Sequence, residues 1–362
     1  MLRYFCKKNN TMAQFHILTI SEIEKITNNC VTLTFDVPSD LQSEFNFTAG
    51  QYITLKTKIN GEDVRRDYSL CSAPNSKVLK VAVKAVENGV FSQYANTQLK
   101  SGDSIEVSKP NGRFTYTPDT SNTKTVVAFA AGSGITPIMS IAKSVLESEK
   151  DSKFVLVYGN KTQADTMFFA QLESLQSKYN SRFSIQHITS QEKTEHSKFG
   201  RIDSSIVNYV FNTYLNDAAL KSFYLCGPEQ MIHTVSDSLK EKGFEEDQIN
   251  FELFTTSTTS EAPSETTSAG ESKVTVLLDD ETSSFSMDAK STILDAALAE
   301  DIDAPYSCQG GICSSCIARI TEGEVSMRQN NILTESELAE GLILTCQAHP
   351  KTANVSIDFD DV

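Results

Sequence analysis

No run of apolar residues in this 362-residue chain approaches the length that crosses a bilayer, so a membrane-spanning helix is excluded and a membrane is not an expected partner. Basic residues are also scarce. Lys and Arg number 32 against 47 Asp and Glu, a net charge of −15, which argues against nucleic-acid binding. No secretory signal is expected, because the opening MLRYFCKKNNT is mildly basic and too short of apolar residues; Met12 is a second candidate start. The eight cysteines show no disulfide pairing pattern, so a reducing, cytoplasmic location is expected.

What the chain does have is concentrated near its end. Cys6, Cys30, Cys71 and Cys226 are scattered, but Cys308, Cys313 and Cys316 follow a C-x4-C-x2-C spacing, and 29 residues separate the third from Cys346. That is the plant-type [2Fe-2S] pattern. Two irons sharing two sulfides need four thiolates, three from one tight loop and one from elsewhere. Gly310 and Gly311 free the loop backbone, and small Ser314 and Ser315 let amides approach the sulfurs. Structural zinc is the alternative, but zinc sites usually gather two C-x2-C pairs, and only Cys313 and Cys316 form one. The phrase Leu344-Thr345-Cys346-Gln347-Ala348 resembles the fourth-ligand segment of plant-type ferredoxins.

The charge is uneven. Residues 273–362 hold 16 acidic and 5 basic side chains, whereas the first 254 residues are close to neutral. An acidic terminal domain suits docking to a basic face of an electron acceptor, or it serves solubility alone.

Residues 13–118 read as short alternating strands broken by turns: Val31–Phe35, Gln51–Lys58, Tyr68–Cys71, Lys80–Val86 and Ser104–Val107. The expectation is a small antiparallel β-barrel. Within it Arg66 offers a fork of donors for a phosphate, Tyr68 a flat face and Ser69 a hydroxyl, while Gly89 precedes an expected helix from Val90 to Leu99 whose first amides suit a pyrophosphate. Each phrase alone also fits an ordinary surface strand or turn. In this order, with Gly112-Arg113-Phe114 after them, they resemble the FAD barrel of the ferredoxin-NADP reductase superfamily. That resemblance implies flavin contacts at Arg66, Tyr68, Ser69, Leu70 and Lys84, and at Gly89, Val90, Phe91 and Ser92.

Residues 122–254 alternate apolar runs with amphipathic stretches, the pattern of an α/β domain with a parallel sheet. Strands are expected at Val126–Ala130, Phe154–Tyr158, Phe183–Ile188 and Phe223–Cys226, and helices at Ile135–Glu147, Asp165–Tyr179, Asp203–Tyr214 and Glu229–Lys242. The turn Gly132-Ser133-Gly134-Ile135-Thr136-Pro137 can bring amides to a pyrophosphate, although Pro137 stands where a third glycine is usual. Cys226-Gly227-Pro228 leaves room for a nicotinamide. In the superfamily these two turns face each other across the hydride-transfer site, which implies roles for Ser69, Thr136, Cys226 and Glu252, with Phe254 near the flavin; a plain final strand is the alternative for the last two. No acidic residue follows at Gly159-Asn160-Lys161, which leans towards NADPH over NADH. Ser190 is followed by Gln191, however, where NADPH-preferring relatives often have arginine. Lys193, Lys198 and Arg201 are the candidates for a 2′-phosphate, or belong to a solvated loop.

Residues 255–272 lack apolar side chains beyond alanine and proline and read as a flexible linker spanning on the order of 20–25 Å. Residues 273–362 follow: a hairpin of Val274–Leu278 and Phe285–Met287, a helix over Thr292–Glu300, the cysteine loop, strands Ile317–Ile320 and Glu324–Met327 about a glycine turn, a short helix from Glu335 and a strand Val355–Phe359. By resemblance to ferredoxins this is a β-grasp domain.

A nicotinamide gives electrons in pairs and an iron-sulfur cluster takes them singly, so a flavin is needed between them. The domain order resembles the reductase components of multicomponent oxygenases. Arg66-Asp67-Tyr68-Ser69-Leu70-Cys71-Ser72, Asn111 to Tyr116, Gly132 to Pro137, Gly200-Arg201-Ile202-Asp203 and Phe251-Glu252-Leu253-Phe254 are similar to the reductases of phenylacetyl-CoA epoxidases within that family. The implied acceptor is a di-iron oxygenase. Another oxygenase or hydroxylase is the alternative acceptor, and a redox sensor that no longer turns over is the alternative of a different class.

Overall fold

A computed structural model describes residues 15–215, 221–255 and 271–362. The described residues form two compact units, 16–255 and 271–362. Among them no helix is long and apolar enough to cross a membrane.

The first unit opens with β1 (His16–Thr27), β2 (Cys30–Asp36), β3 (Tyr52–Ile59), β4 (Glu62–Ser69), β5 (Leu79–Lys84), helix α1 (Val90–Thr97) and β6 (Ser104–Val107). Every pairing among these strands is antiparallel, in the order β4-β3-β6-β1-β2-β5. A bridge between Leu70 and Val81 joins the two outer strands and closes the sheet into a barrel. Leu18, Leu33, Ile53, Leu55, Leu70, Val81 and Phe91 fill it. The long β1 escapes the sequence pattern because its burial alternates with charged and polar residues over only part of its length.

The sheet that follows contains β7 (Thr125–Ala131), α2 (Ile135–Ser148), β8 (Lys153–Asn160), α3 (Phe169–Lys178), β9 (Phe183–Thr189), β10 (Ser197–Phe199), α4 (Ser204–Tyr214), β11 (Lys221–Pro228), α5 (Glu229–Glu241) and β12 (Ile249–Thr255). All its strands run parallel, in the order β10-β9-β8-β7-β11-β12. Central β7 is buried along almost its whole length, as a strand covered on both faces must be. Pro137 falls in the first turn of α2, where its missing N–H costs no helical hydrogen bond. Helix α3 starts at Phe169 rather than Asp165: Thr162 and Asp165 bond each other in a preceding turn, and Phe168 takes a left-handed φ of 60°.

Barrel and parallel sheet share one core. Cys71, Phe114 and Tyr116 of the barrel side pack with Ile138, Met139, Tyr158 and Tyr224. The expected three domains therefore form two compact units among the described residues.

The second unit runs through β13 (Glu271–Leu278), β14 (Glu281–Asp288), α6 (Ile293–Ala299), β15 (Ile317–Glu322), β16 (Val325–Met327), α7 (Glu335–Ala339), β17 (Leu342–Leu344), β18 (Ala348–Pro350) and β19 (Asn354–Asp358). Its sheet order is β14-β13-β19-β15-β17, with β13 and β19 parallel, a ferredoxin-like arrangement. Thr292 caps α6 through Asp295 N, and Thr334 with Glu337 forms a capping box on α7.

One expectation is corrected here. The linker 255–272 is too generous at both ends, since Thr255 closes β12 and Glu271 and Ser272 already pair with β14; residues 256–270 lie outside the described residues. The two strands expected about the glycine turn are present as β15 and β16, on either side of Gly323; β15 joins β19 and β17, and β16 joins β18. A side chain at Gly323, whose φ is 83°, would collide with Asn354 O, and the turn redirects the chain instead of closing a hairpin.

Candidate functional site

The end of β4 places the first group of residues. Arg66 is exposed and its guanidinium rests on Arg65 O at 2.6 Å. Tyr68 is half-buried with its ring 5.4 Å from that of Phe91. Ser69 is buried. Leu70 and Phe91 turn their side chains into the barrel core, leaving only their backbones for a ligand; Lys84 ends β5 half-buried opposite Cys30. Gly89 caps α1, and a side chain there would strike Ser92 Oγ, which accepts from Val86 N at 3.2 Å and donates to Gly89 O at 3.3 Å. Ser92 thus spends its hydroxyl on the turn, and Val90 is exposed at the helix start.

The second group comes from the carboxyl ends of β7 and β11. Gly132 has a φ of 55° and its carbonyl accepts from Tyr158 OH at 2.9 Å, while buried Thr136 donates to Ser133 O at 3.0 Å. Gly134 lies directly on the backbone of Cys226 and Gly227, and any side chain there would overlap Cys226 O. The two glycine turns are therefore in contact. Pro228 caps α5 from an extended conformation.

Cys226 is the register partner of Glu252 across β11 and β12, and Ser69 Oγ stands 3.5 Å from Glu252 Oε2. Residues 69, 226 and 252 thereby meet. Burial pushes the Glu252 carboxyl up to about 8, with nearby Asp67 adding and Ser69 opposing. At neutral pH it carries a proton. Burial likewise raises the Cys226 thiol, and the Glu252 charge adds to that. Phe254, two residues on, is half-buried against the core shared by barrel and sheet.

Of the cations considered for a 2′-phosphate, Lys193 lies over the Phe199 ring at 5.0 Å and Lys198 over Tyr209 at 3.7 Å. Arg201 is exposed.

Helix α2 supplies residues that sequence reasoning missed. Ser140 Oγ donates to Ser72 O at 2.7 Å and Lys143 Nζ to Cys71 O at 3.0 Å, so the helix that begins at the glycine turn is fastened just beyond Ser69. Past its end, buried Glu149 accepts from Tyr116 OH at 2.5 Å, Asp119 N at 2.9 Å and Asn122 Nδ2 at 3.0 Å. Burial works against the charge of Glu149, yet Ser152 foremost, then Tyr116, Asn122 and Asp119 N, hold its carboxyl below the usual value. Nothing in the local sequence marks a tertiary clamp of this kind.

In the second unit the thiols stand as two pairs. Cys316 Sγ lies 3.3 Å from Cys346 Sγ, and Cys308 is hydrogen-bonded to Cys313. Among the described residues no three of His, Cys, Asp and Glu gather about a single ion. Two pairs suit two irons. Gly310 N donates to Cys308 Sγ at 3.3 Å; the Cys313 contact and the amides of Gly310, Ile312 and Cys313 bring the Cys308 thiol down to about 6 despite its burial. Cys346 is held low by Cys316 and Gln347, with Cys316 correspondingly raised. A loop that aims amides at sulfur favours thiolate, the form that binds iron.

Comparisons with known proteins agree with this division. Residues 17–116 match the oxidoreductase FAD-binding domain family, 129–237 the oxidoreductase NAD-binding domain family and 276–351 the 2Fe-2S iron-sulfur cluster binding domain family. One of the subunits of 1,2-phenylacetyl-CoA epoxidase from Escherichia coli K12 is 38% identical over 96% of this chain and 99% of its own. The ferredoxin reductase component of 3-ketosteroid-9-alpha-monooxygenase from Rhodococcus rhodochrous is 33% identical over 95% and 96%. Among solved structures, phthalate dioxygenase reductase is 25% identical with a TM-score of 0.61, covering 95% of this chain and 98% of that one. A type IV self-sufficient cytochrome P450 monooxygenase has a TM-score of 0.69 at 23% identity, over 95% of this chain and 41% of its own, and shares the fold.

Proposed function

Because this chain belongs to the FAD- and [2Fe-2S]-containing reductase components of multicomponent oxygenases, we propose that residues 69, 226 and 252 form its hydride-transfer site and the four cysteines its exit for single electrons. Bound FAD supplies the means to take an electron pair from a pyridine nucleotide and release it singly, and a bound [2Fe-2S] cluster takes one electron at a time.

The protein's own groups position and tune. Ser69 offers a hydroxyl to the flavin edge, and the protonated Glu252 beside it is a neutral donor that does not repel incoming negative charge. Cys226 and Gly227 leave space for the nicotinamide, with Thr136 packing at the adjoining turn. Arg66 and the amides at Gly89 and Gly132–Gly134 would hold the phosphates, and Phe254 would help exclude water. NADPH is the proposed nucleotide, with Arg201 and Lys193, both exposed, and the half-buried Lys198 the cations for its 2′-phosphate. Cys308 and Cys313 would hold one iron, Cys316 and Cys346 the other.

The proposed acceptor is a phenylacetyl-CoA epoxidase-type oxygenase, by likeness to the Escherichia coli protein. The acidic balance of residues 273–362 supports docking through the ferredoxin domain. A reducing cytoplasm suits the described cysteines, which are free thiols.

The contact of Ser69 with Glu252, the register partner of Cys226, carries this reading, because it brings a barrel residue into the nicotinamide end of the parallel sheet. Anaerobic titration of the purified protein with NADPH, then with NADH, tests it. Bleaching of flavin followed by cluster absorbance is expected, at lower nucleotide concentration with NADPH; flavin unaffected by either nucleotide would refute it.

A further inference from the structure

We propose that Gln347 positions the cluster and tunes its potential by bridging the three-cysteine loop to the fourth cysteine. The inference rests on the reading that Cys308, Cys313, Cys316 and Cys346 hold the cluster. Gln347 is buried, 8% exposed, and its Nε2 donates to Gln309 O at 2.9 Å and to Cys346 Sγ at 3.6 Å. A carboxamide nitrogen carries two hydrogens, and these contacts use both.

The backbone that carries this side chain is fixed on both sides, and the loop passes close by. The backbone N–H of Gln347 donates to Leu344 O at 2.9 Å and its backbone carbonyl accepts from Arg328 N at 3.0 Å. Gln309, next to Cys308, adopts a left-handed φ of 53° within the same loop. Gly311, at a φ of 70°, passes so near that a side chain there would stand 3.2 Å from Gln347 Cγ. One amide thus ties the segment after the first ligand to the fourth ligand.

The consequence is electrostatic. Reduction adds negative charge to the cluster, and part of it reaches the ligand sulfurs. A donor fixed on Cys346 therefore stabilises the reduced form more than the oxidised one and raises the potential. The same contact with Gln309 limits how far the loop can open.

Gln347→Met keeps the side chain's length while removing both donors. In the full-length holoprotein we expect normal iron and sulfide content, a cluster potential shifted to a more negative value by about a fivefold change in the reduction equilibrium, and altered Fe–S(Cys) stretching. Flavin bleaching by NADPH should keep its wild-type rate. Full loading with an unchanged potential and unchanged stretching overturns the proposal. Should the variant fail to hold iron, pulsed EPR on wild-type holoprotein carrying glutamine side-chain 15N decides: a coupled amide nitrogen supports the bridge, and its absence overturns it. Wild-type protein that binds no cluster after anaerobic reconstitution would refute the four-cysteine reading itself, and this proposal with it.

Discussion

The two chemical centres are built in opposite ways. The proposed cluster site would draw three ligands from Cys308–Cys316 and only Cys346 from elsewhere, whereas the proposed hydride site collects Ser69, Gly134, Cys226 and Glu252 from four separated segments. A local site can be lost without disturbing the rest of the fold. A site assembled by packing depends on every contact that holds its domains in register, here Ser140 to Ser72, Lys143 to Cys71 and Glu149 to Tyr116.

The largest test of that contrast is Cys346→Ser. It should abolish the cluster and all electron transfer to an oxygenase while leaving flavin reduction by NADPH intact, measured by iron content and flavin absorbance. Loss of flavin reduction as well would break the contrast. Ser69→Ala comes next, and removal of one fixed donor should slow flavin bleaching in stopped flow by about 10²-fold with the cluster fully loaded.

Glu149→Ala addresses the packing itself. It strips the partner from Tyr116 OH, Asp119 N and Asn122, and should cost about 2–4 kcal/mol in denaturant unfolding of the first unit. Slower flavin bleaching should accompany it.

The last test concerns pH. The Glu252 carboxyl titrates near 8 when folded against a usual 4.5, so the folded chain binds the extra proton between those values. Its contribution to stability is full below about 4.5 and falls as pH rises towards 8, and ionisation of the donor should slow flavin bleaching across the same upper limit. Glu252→Gln should flatten both profiles; an unchanged profile would show that another group titrates.

The same contrast governs what could be read from the chain. Strands with continuous apolar runs, such as β7 and β8, and the cysteine spacing are signals within one short window. Short β10, β17 and β18, of three residues each, are strands because of their neighbours, and no pattern of that length can show it. Arg66, Ser69 and the two glycine turns were legible as types with a known use, but the meeting of Ser69 with Glu252 is a property of packing. Lys193 and Lys198 illustrate the limit: their charge was plain, and only the structure shows them resting on aromatic rings.

The coupling of a paired-electron site to a single-electron site is tested most directly by counting reducing equivalents. Anaerobic dithionite titration of wild type and Cys346→Ser should give about three electrons per chain for the first and about two for the second, with wild-type flavin spectra in both. Equal counts for the two proteins would contradict a flavin and a cluster held at the separate sites described.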